Sequence, residues 1–186
     1  FVFTPMAASP RVPVLRRATA RQSAGVARRA SGSFYELPPA TDVDGTVFDF
    51  ASLKGKVVYA VNVASRCGGT QSNYEQFAKL ADVEGLDLLL FPCSQFGNQE
   101  LKNDPEIKAF VGKKGLADRP NVHVLTRADV KGPNAQPAWK FFYETTGSLE
   151  SHQQPGWNFE GKYLIGKDGA VQRVPRGGDV EALIAA

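Results

Sequence analysis

Cys67 and Cys93 are the only thiols in the chain, and His123 and His152 its only imidazoles. In chain order they stand 26, 30 and 29 residues apart, which matches no zinc-ligand spacing, so no metal site is expected. Two cysteines outside any C-x-x-C pair make neither a disulfide framework nor a dithiol redox motif. Cys67 is set apart by its surroundings, N-V-A-S-R-C-G-G-T (Asn62 to Thr70), which follow an apolar run and precede a stretch with helical periodicity. A thiol at the end of a strand and the start of a helix lies where open α/β sheets bind ligands and where the helix dipole favours negative charge. Arg66 adds a positive neighbour, and Gly68 and Gly69 leave the sulfur uncovered. A reactive thiolate and a packed, inert thiol both remain open on these residues. Thr70 stands where a second redox cysteine would be, and no histidine adjoins Cys67 as the base that acyl transfer would need. An electrophile that a lone thiolate attacks without such a base is a peroxide.

The elements that would position Cys67 are legible from periodicity. Val57 to Ala64 (V-V-Y-A-V-N-V-A) is a nearly continuous, β-branched apolar run, the pattern of a strand covered on both faces. Tyr74, Phe77, Ala78 and Ala81 mark one face of a helix from about Thr70 to Val83. Leu86 to Phe91 reads as a second buried strand closed by Pro92, so the strand, helix and strand imply a right-handed crossover between parallel strands. Upstream, a D-G turn at Asp44-Gly45 joins two short strands into a hairpin. Downstream, Asp104-Pro105-Glu106 opens a helix with Asp104 as its cap and Gly115 as its end. Val122 to Leu125 is a short strand, Pro137 to about Gly147 another helix, Ser148 to Gly156 a polar loop, Tyr163 to Val174 a hairpin, and Asp179 caps a last helix. The order β-β-β-α-β-α-β-α-β-β-α is that of an α/β chain with a mixed sheet, compatible with a thioredoxin-like fold.

Length and charge set the outer bounds. With 186 residues the chain has room for one domain of ordinary size and extra segments. Residues 1–33 hold six arginines (11, 16, 17, 21, 28 and 29), no lysine and no acid, which leaves 16 basic and 19 acidic groups in residues 34–186. The body is therefore no basic nucleic-acid binder. A leader rich in Arg, Ala and Ser without a continuous apolar core has the composition of an organelle transit peptide, and M-A-A-S at Met6 reads as a plausible translation start that leans toward a plastid over a mitochondrion. A solvated basic tail for an acidic partner is the alternative. No stretch reaches the roughly 18 apolar residues of a membrane span, so a soluble domain over residues 34–186 is expected.

Three blocks then resemble one family. N-V-A-S-R-C-G-G-T-Q-S-N-Y (Asn62 to Tyr74), F-P-C-S-Q-F-G-N-Q-E (Phe91 to Glu100) and W-N-F-E-G-K-Y-L-I (Trp157 to Ile165) are similar, in this order, to the hallmark blocks of the glutathione peroxidases. The resemblance runs from about Phe34 to the C-terminus. It implies a thioredoxin-like fold with a mixed central sheet, flanking helices and an N-terminal hairpin. The implied activity is reduction of hydrogen peroxide and organic or lipid hydroperoxides, with no prosthetic group and with a thiol reductant, glutathione or thioredoxin, as co-substrate. The catalytic tetrad that it implies is Cys67, Gln99, Trp157 and Asn158. The residue types suit the task, because carboxamides and an indole N–H can donate to a sulfur anion and cannot remove a proton at neutral pH.

The resemblance also implies a gap. Plant-type members that use thioredoxin keep a resolving cysteine in a segment like E-I-x-x-F-x-C, whereas E-I-K-A-F-V-G puts Gly112 there. Cys93 is the one other thiol, either a resolver or a packed side chain. The nine residues Ser148 to Gly156 leave no space for the long loop of tetrameric relatives, so a monomer or weak dimer with a rim open to lipid hydroperoxides is expected. Two other functions stay open: a peroxide sensor that passes its oxidation to a partner protein, and a non-catalytic interaction module with an inert Cys67.

Overall fold

Residues 32–185 are described in the computed structural model. The leader expected over residues 1–33 thus lies, but for Gly32 and Ser33, outside the described residues. The strands are β1 (Ala40–Thr41), β2 (Val47–Phe48), β3 (Val57–Val63), β4 (Leu86–Pro92), β5 (Val122–Val124), β6 (Lys162–Ile165) and β7 (Val171–Arg173). The helices are α1 (Thr70–Leu80), α2 (Asp104–Lys113), α3 (Pro137–Thr146) and α4 (Val180–Ala185). Their order along the chain is the expected one.

β1 and β2 form a separate antiparallel hairpin, and the other five strands make one sheet in the order β5-β4-β3-β6-β7. β3, β4 and β5 are parallel, while β6 and β7 run antiparallel to their neighbours. The two apolar runs occupy the centre, with every residue of β4 and all of β3 but Val57 buried. Alternation along a strand sends successive side chains to opposite faces, and the core divides accordingly. Val58, Ala60, Leu89, Phe91 and Cys93 pack with Trp139 and Phe142 of α3 and with Phe34 and Phe50. Tyr59, Val61, Val63, Leu88 and Leu90 pack with Tyr74 and Phe77 of α1, Ile107 and Val111 of α2, and Val180 of α4. This is the mixed, helix-flanked sheet of a thioredoxin-like fold.

Local chemistry explains where the boundaries moved. The first strand shrinks to two residues because Phe34–Glu36 closes as a 3-10 turn capped by Ser33, and Pro38-Pro39 supply no N–H for pairing. The hairpin turn is built by Asp42, whose Oδ1 accepts Asp44 N at 2.9 Å and Thr46 N at 2.8 Å, with Gly45 at φ +76°. The hairpin covers part of the exposed edge of β5, with Val43 N–H donating to Val124 O (3.0 Å) and Thr126 N–H to Thr41 O (2.9 Å). Asn103, not Asp104, caps α2: its Oδ1 accepts Glu106 N at 3.0 Å, while the Asp104 carboxylate takes Thr126 Oγ1 (2.5 Å) and Arg127 N (3.2 Å). α1 stops at Leu80, three residues early, and the chain tightens into successive turns through Val83. Within the polar loop Ser151–Gln153 forms a further 3-10 turn. Asp179 caps α4 as expected, its Oδ1 accepting Ala182 N at 3.1 Å.

Candidate active site

Strand pairing alone gathers three loops at one end of the sheet. Because β3 and β4 are parallel, the residues after Val63 and after Pro92 emerge side by side, and Cys93 N–H donates to Val63 O at 3.1 Å. β6 is antiparallel to β3 with Val61 opposite Lys162, so the segment that precedes β6 arrives at the same place. Asn62 N–H donates to Gly161 O at 3.2 Å, and Phe159 N–H to Asn62 O at 3.0 Å. Cys67, Gln99 and the Trp157-Asn158 pair sit on these three loops.

The Cys67 turn is tied from within by Thr70. Cys67 N–H donates to Thr70 Oγ1 at 3.0 Å, the Thr70 hydroxyl donates to Ala64 O at 2.7 Å, and Thr70 N–H closes onto Cys67 O at 3.0 Å. Thr70 thus does a backbone job at the place where a dithiol enzyme would carry sulfur. Cys67 itself is half-buried against the α1 face of the core, three residues ahead of the first turn of α1. The partial positive charge of that helix end favours an anion there. No hydrogen bond to Cys67 Sγ occurs among the described residues.

Gln99, Trp157 and Asn158 form a tight group. Asn158 is buried and spends both amide protons, donating through Nδ2 to Gln99 Oε1 (2.8 Å) and to Phe96 O (3.2 Å). That contact fixes which way the half-buried Gln99 carboxamide points, with its oxygen toward Asn158 and its Nε2 uncommitted among the described residues. Asn158 therefore orients Gln99 here and donates nothing to the sulfur, unlike the direct role expected of both carboxamides. Trp157 is 44% exposed. Its ring lies over Gly97, where a Cβ would meet Trp157 Cη2 at 3.2 Å and Gln99 Cγ at 3.5 Å, and Gly97 adopts φ +66°. Cys67 joins this group through the backbone, by Arg66 N–H to Gln99 O at 2.9 Å.

Several supporting residues lie within the three blocks but were not singled out from the sequence. Asn62, fully buried in the apolar run of β3, donates through Nδ2 to Trp157 O (3.1 Å) and accepts Gly161 N at Oδ1 (2.8 Å), so it shapes the loop that presents Trp157 and Asn158. Phe159 holds φ +62°, a left-handed conformation that a bulky side chain rarely adopts. Its buried ring reaches the aromatic pair Tyr74 and Phe77. Glu100 is buried beside the Cys67 turn. An asparagine amid β-branched residues is the one signal that could have drawn notice, because buried polar groups need partners.

Known proteins supply the remaining comparison. A family model described as "Glutathione peroxidase" matches residues 34–143, more than half of the chain. The "Putative glutathione peroxidase 7, chloroplastic" of Arabidopsis thaliana is 40% identical over 138 residues, 72% of this chain and 57% of that protein. The chain thus spans under two thirds of that relative. The "Probable phospholipid hydroperoxide glutathione peroxidase" of Mesembryanthemum crystallinum is 40% identical over 133 residues, 70% of this chain and 75% of that protein. The chain belongs to the glutathione peroxidase family. Glutathione peroxidases are oxidoreductases that act on peroxides. The crystal structure of Trgpx in apo form has the same fold, with a TM-score of 0.57 at 28% identity over 83% of this chain and 92% of that one.

For a glutathione peroxidase, the second thiol is the open chemical question. Cys93 follows Leu89 and Phe91 in alternation and lies on the α3 face, fully buried, whereas Cys67 packs on the α1 face. The Cys93 sulfur accepts Gln95 N at 3.4 Å and contacts Gln95 Oε1 at 3.5 Å, and burial pushes its thiol pKa up. The two thiols thus pack into core clusters on opposite faces of the sheet, with Cys93 fully buried in its own. Gly112 is an exposed position of α2, where an added Cβ would meet only Ala117 Cβ at 3.6 Å. No helix among the described residues is long and apolar enough to cross a membrane, and no cluster of three or more His, Cys, Asp or Glu among them could hold a metal ion.

Proposed function

We propose that this protein is a thiol peroxidase in which Cys67 is the nucleophile. Cys67 thiolate attacks one peroxide oxygen; the O–O bond breaks, a proton goes to the leaving alkoxide or hydroxide, and the sulfur becomes a sulfenic acid. The observation that carries this reading is the Gln99 carboxamide, held by Asn158 with Nε2 uncommitted, on a loop bonded to the residue before Cys67. A donor set in advance stabilises charge that develops at sulfur and oxygen without reorganising. Trp157, exposed beside Gln99, forms the rim against which the substrate lies.

Recycling comes from outside the domain. A free thiol condenses with the sulfenic acid, water leaves, and a second thiol releases Cys67 and forms a disulfide. With Gly112 in place of a thiol and Cys93 across the sheet, the first attack falls to glutathione or to a cysteine of a partner such as thioredoxin. Hydrogen peroxide and organic hydroperoxides are the substrates, and the short Ser148–Gly156 loop favours bulky lipid hydroperoxides, in line with the printed name of the Mesembryanthemum relative. The protein acts in antioxidant defence as a monomer or weak dimer. Residues 1–33 are an organelle leader, for a plastid as the printed name of the Arabidopsis relative says of that protein, or for a mitochondrion. The lack of an internal resolving thiol favours one second reading, a peroxide sensor that relays its oxidation to a protein partner.

Stopped-flow mixing with peroxide, followed by mass spectrometry with glutathione or thioredoxin, tests both. Fast oxidation lost in Cys67→Ser and reversed by either reductant is expected. Oxidation that no reductant reverses would leave the sensor, and no Cys67-dependent oxidation would leave neither.

A further inference from the structure

Glu100 is a carboxylate at 2% exposure, next in sequence to Gln99 and within reach of the Cys67 turn. One of its oxygens, Oε1, accepts Ser65 N–H at 3.1 Å, the Ser65 hydroxyl, and Leu101 N–H at 2.8 Å. Its other oxygen, Oε2, is buried with no hydrogen-bond partner, and no salt bridge reaches it among the described residues. The titratable groups that feel its charge, or whose charge it feels, are Tyr74 of α1, Cys93 after β4, and Arg127 beyond β5. None of them donates to it. Burial pushes the Glu100 pKa up, against the pull of Ser65, Leu101 and Arg127.

Such a group is an expensive way to tie down two amides. A buried carboxylate without a cation costs free energy that a neutral acceptor would not, and an orphaned oxygen adds to that cost. Natural sequences break the rule of full polar satisfaction mostly where function needs it. Glu100 Oε1 gathers three donors at once, two from Ser65 and one from Leu101, an acceptor duty that a shorter or apolar side chain could not perform. They act on the seam that matters: Ser65 N–H and Oγ–H go to Glu100, and Arg66 N–H goes to Gln99 O, so three donors stitch residues 65–66 to 99–100. We infer that Glu100 is a positioning residue for the proposed peroxidase chemistry, fixing the Cys67 turn against Gln99 so that nucleophile and donor keep one separation. The inference rests on Cys67 being the peroxidatic residue.

Two rates on one protein separate this role from general support of the fold. Alkylation of Cys67 by iodoacetamide needs an accessible thiolate only, whereas oxidation by hydrogen peroxide also needs the Gln99 donor in place. Misplacement by about 1 Å costs on the order of 100-fold, so Glu100→Ala should lower the peroxide rate constant at least about tenfold and the alkylation rate less than about threefold. Glu100→Gln, which offers the same acceptor without charge, should recover the peroxide rate to within about threefold of the parent. Ser65→Ala removes one bond only and should fall between them, which keeps the test available if Glu100→Ala does not fold. The inference is overturned if Glu100→Ala or Ser65→Ala oxidises at the parental rate, or if both rates drop by one common factor that Glu100→Gln does not restore. Should the parent itself show no Cys67 oxidation, the peroxidase reading fails, and that result is in hand before any variant is compared.

Discussion

Asn158→Asp is the sharpest test of how the site is oriented, because the substitution keeps shape and changes one donor to an acceptor. Asn158 Nδ2 now gives one proton to Gln99 Oε1 at 2.8 Å and one to Phe96 O at 3.2 Å. A carboxylate in the same place would set oxygen against two oxygens. The relief open to Gln99 is rotation of its carboxamide by half a turn, so that Nε2 donates inward and Oε1 faces the site. The donor that the peroxide chemistry uses is then replaced by an acceptor. Loss of one preorganised donor costs about 10²–10³ in rate, or about 2.7–4 kcal/mol in the barrier. The Phe96 carbonyl meanwhile loses its partner, and two hydrogen bonds at about 1 kcal/mol each, with a buried charge added, lower stability by at least about 2 kcal/mol. Asn158→Ala separates the two effects: it gives up the same bonds but lets Gln99 turn either way, so about tenfold of rate should go, well short of the loss in Asn158→Asp. The assay is the second-order rate constant of peroxide oxidation, with urea unfolding in parallel and Cys67 alkylation as the control for thiolate access. If Asn158→Asp, folded, oxidises within threefold of the parent, Gln99 Nε2 is not the donor and the orientation argument is wrong.

Other perturbations read different parts of the structure. Phe159→Gly should destabilise less than Phe159→Ala in chemical denaturation, reversing the usual glycine penalty, because glycine relieves about 1–2 kcal/mol of left-handed backbone cost that alanine keeps. Gly161→Ala should cost at least about 1–3 kcal/mol and perturb Trp139 fluorescence, since a Cβ there would lie 2.5 Å from Trp139 Cη2 and 2.7 Å from Pro155 Cγ. Gly112→Cys meets only Ala117 Cβ and should leave the unfolding free energy within about 0.5 kcal/mol of the parent while raising thioredoxin-supported turnover; unchanged turnover would refute the view that this position limits recycling. At alkaline pH the domain should lose stability steeply. Burial raises the pKa of Cys93, of Tyr59, Tyr74 and Tyr143, and of Tyr163 to about 12, so the folded state holds protons that the unfolded chain releases above about pH 9–10. Unfolding midpoints should fall from about pH 9 upward, and a midpoint flat to pH 11 would contradict those burials.

The central strands, the crossover helix and the hairpins were legible because one-dimensional patterns determine them. V-V-Y-A-V-N-V and L-D-L-L-L-F are buried on both faces, and a period of two or 3.6 needs no knowledge of partners. The cap of α2 moved where side chains chose among competing partners. Asn103 took the cap of α2 because the Asp104 carboxylate had a better offer from Thr126 and Arg127, which lie more than twenty residues away. Cys93 shows the same limit in another form. Its alternation with Leu89 and Phe91 assigns it a face of the sheet, but Cys67 sits in a turn, whose face no parity rule supplies, so the separation of the two thiols needed the fold.

Cys67, Gln99, Trp157 and Asn158 were named from the resemblance, while Asn62, Glu100 and the orienting role of Asn158 were hidden, for a physical reason. Cys67 and Trp157 lie at or near solvent and Gln99 is half-buried, while Asn158, Glu100 and Asn62 are buried at 4%, 2% and 0% exposure. The outer residues were named by the resemblance and their types suit the work, because a thiol can attack and an amide or indole N–H can donate to an anion. The inner ones act by direction: Asn158 turns Gln99, Asn62 turns the Trp157 backbone, Glu100 holds Ser65. An asparagine or glutamate has no sequence mark for the direction in which it points. Direction is also what burial secures, since an amide or carboxylate cut off from water has no second partner to turn to. Rate and stability should therefore fall together at the inner positions and separately at the outer ones. Cys67→Ser should abolish peroxide turnover with unfolding free energy changed by under about 1 kcal/mol, whereas Asn62→Ala should lose about 2 kcal/mol or more with its rate, as two buried hydrogen bonds and a buried loop go at once. A variant of Asn62 that kept full stability and lost activity, or the reverse, would break that link between burial and direction.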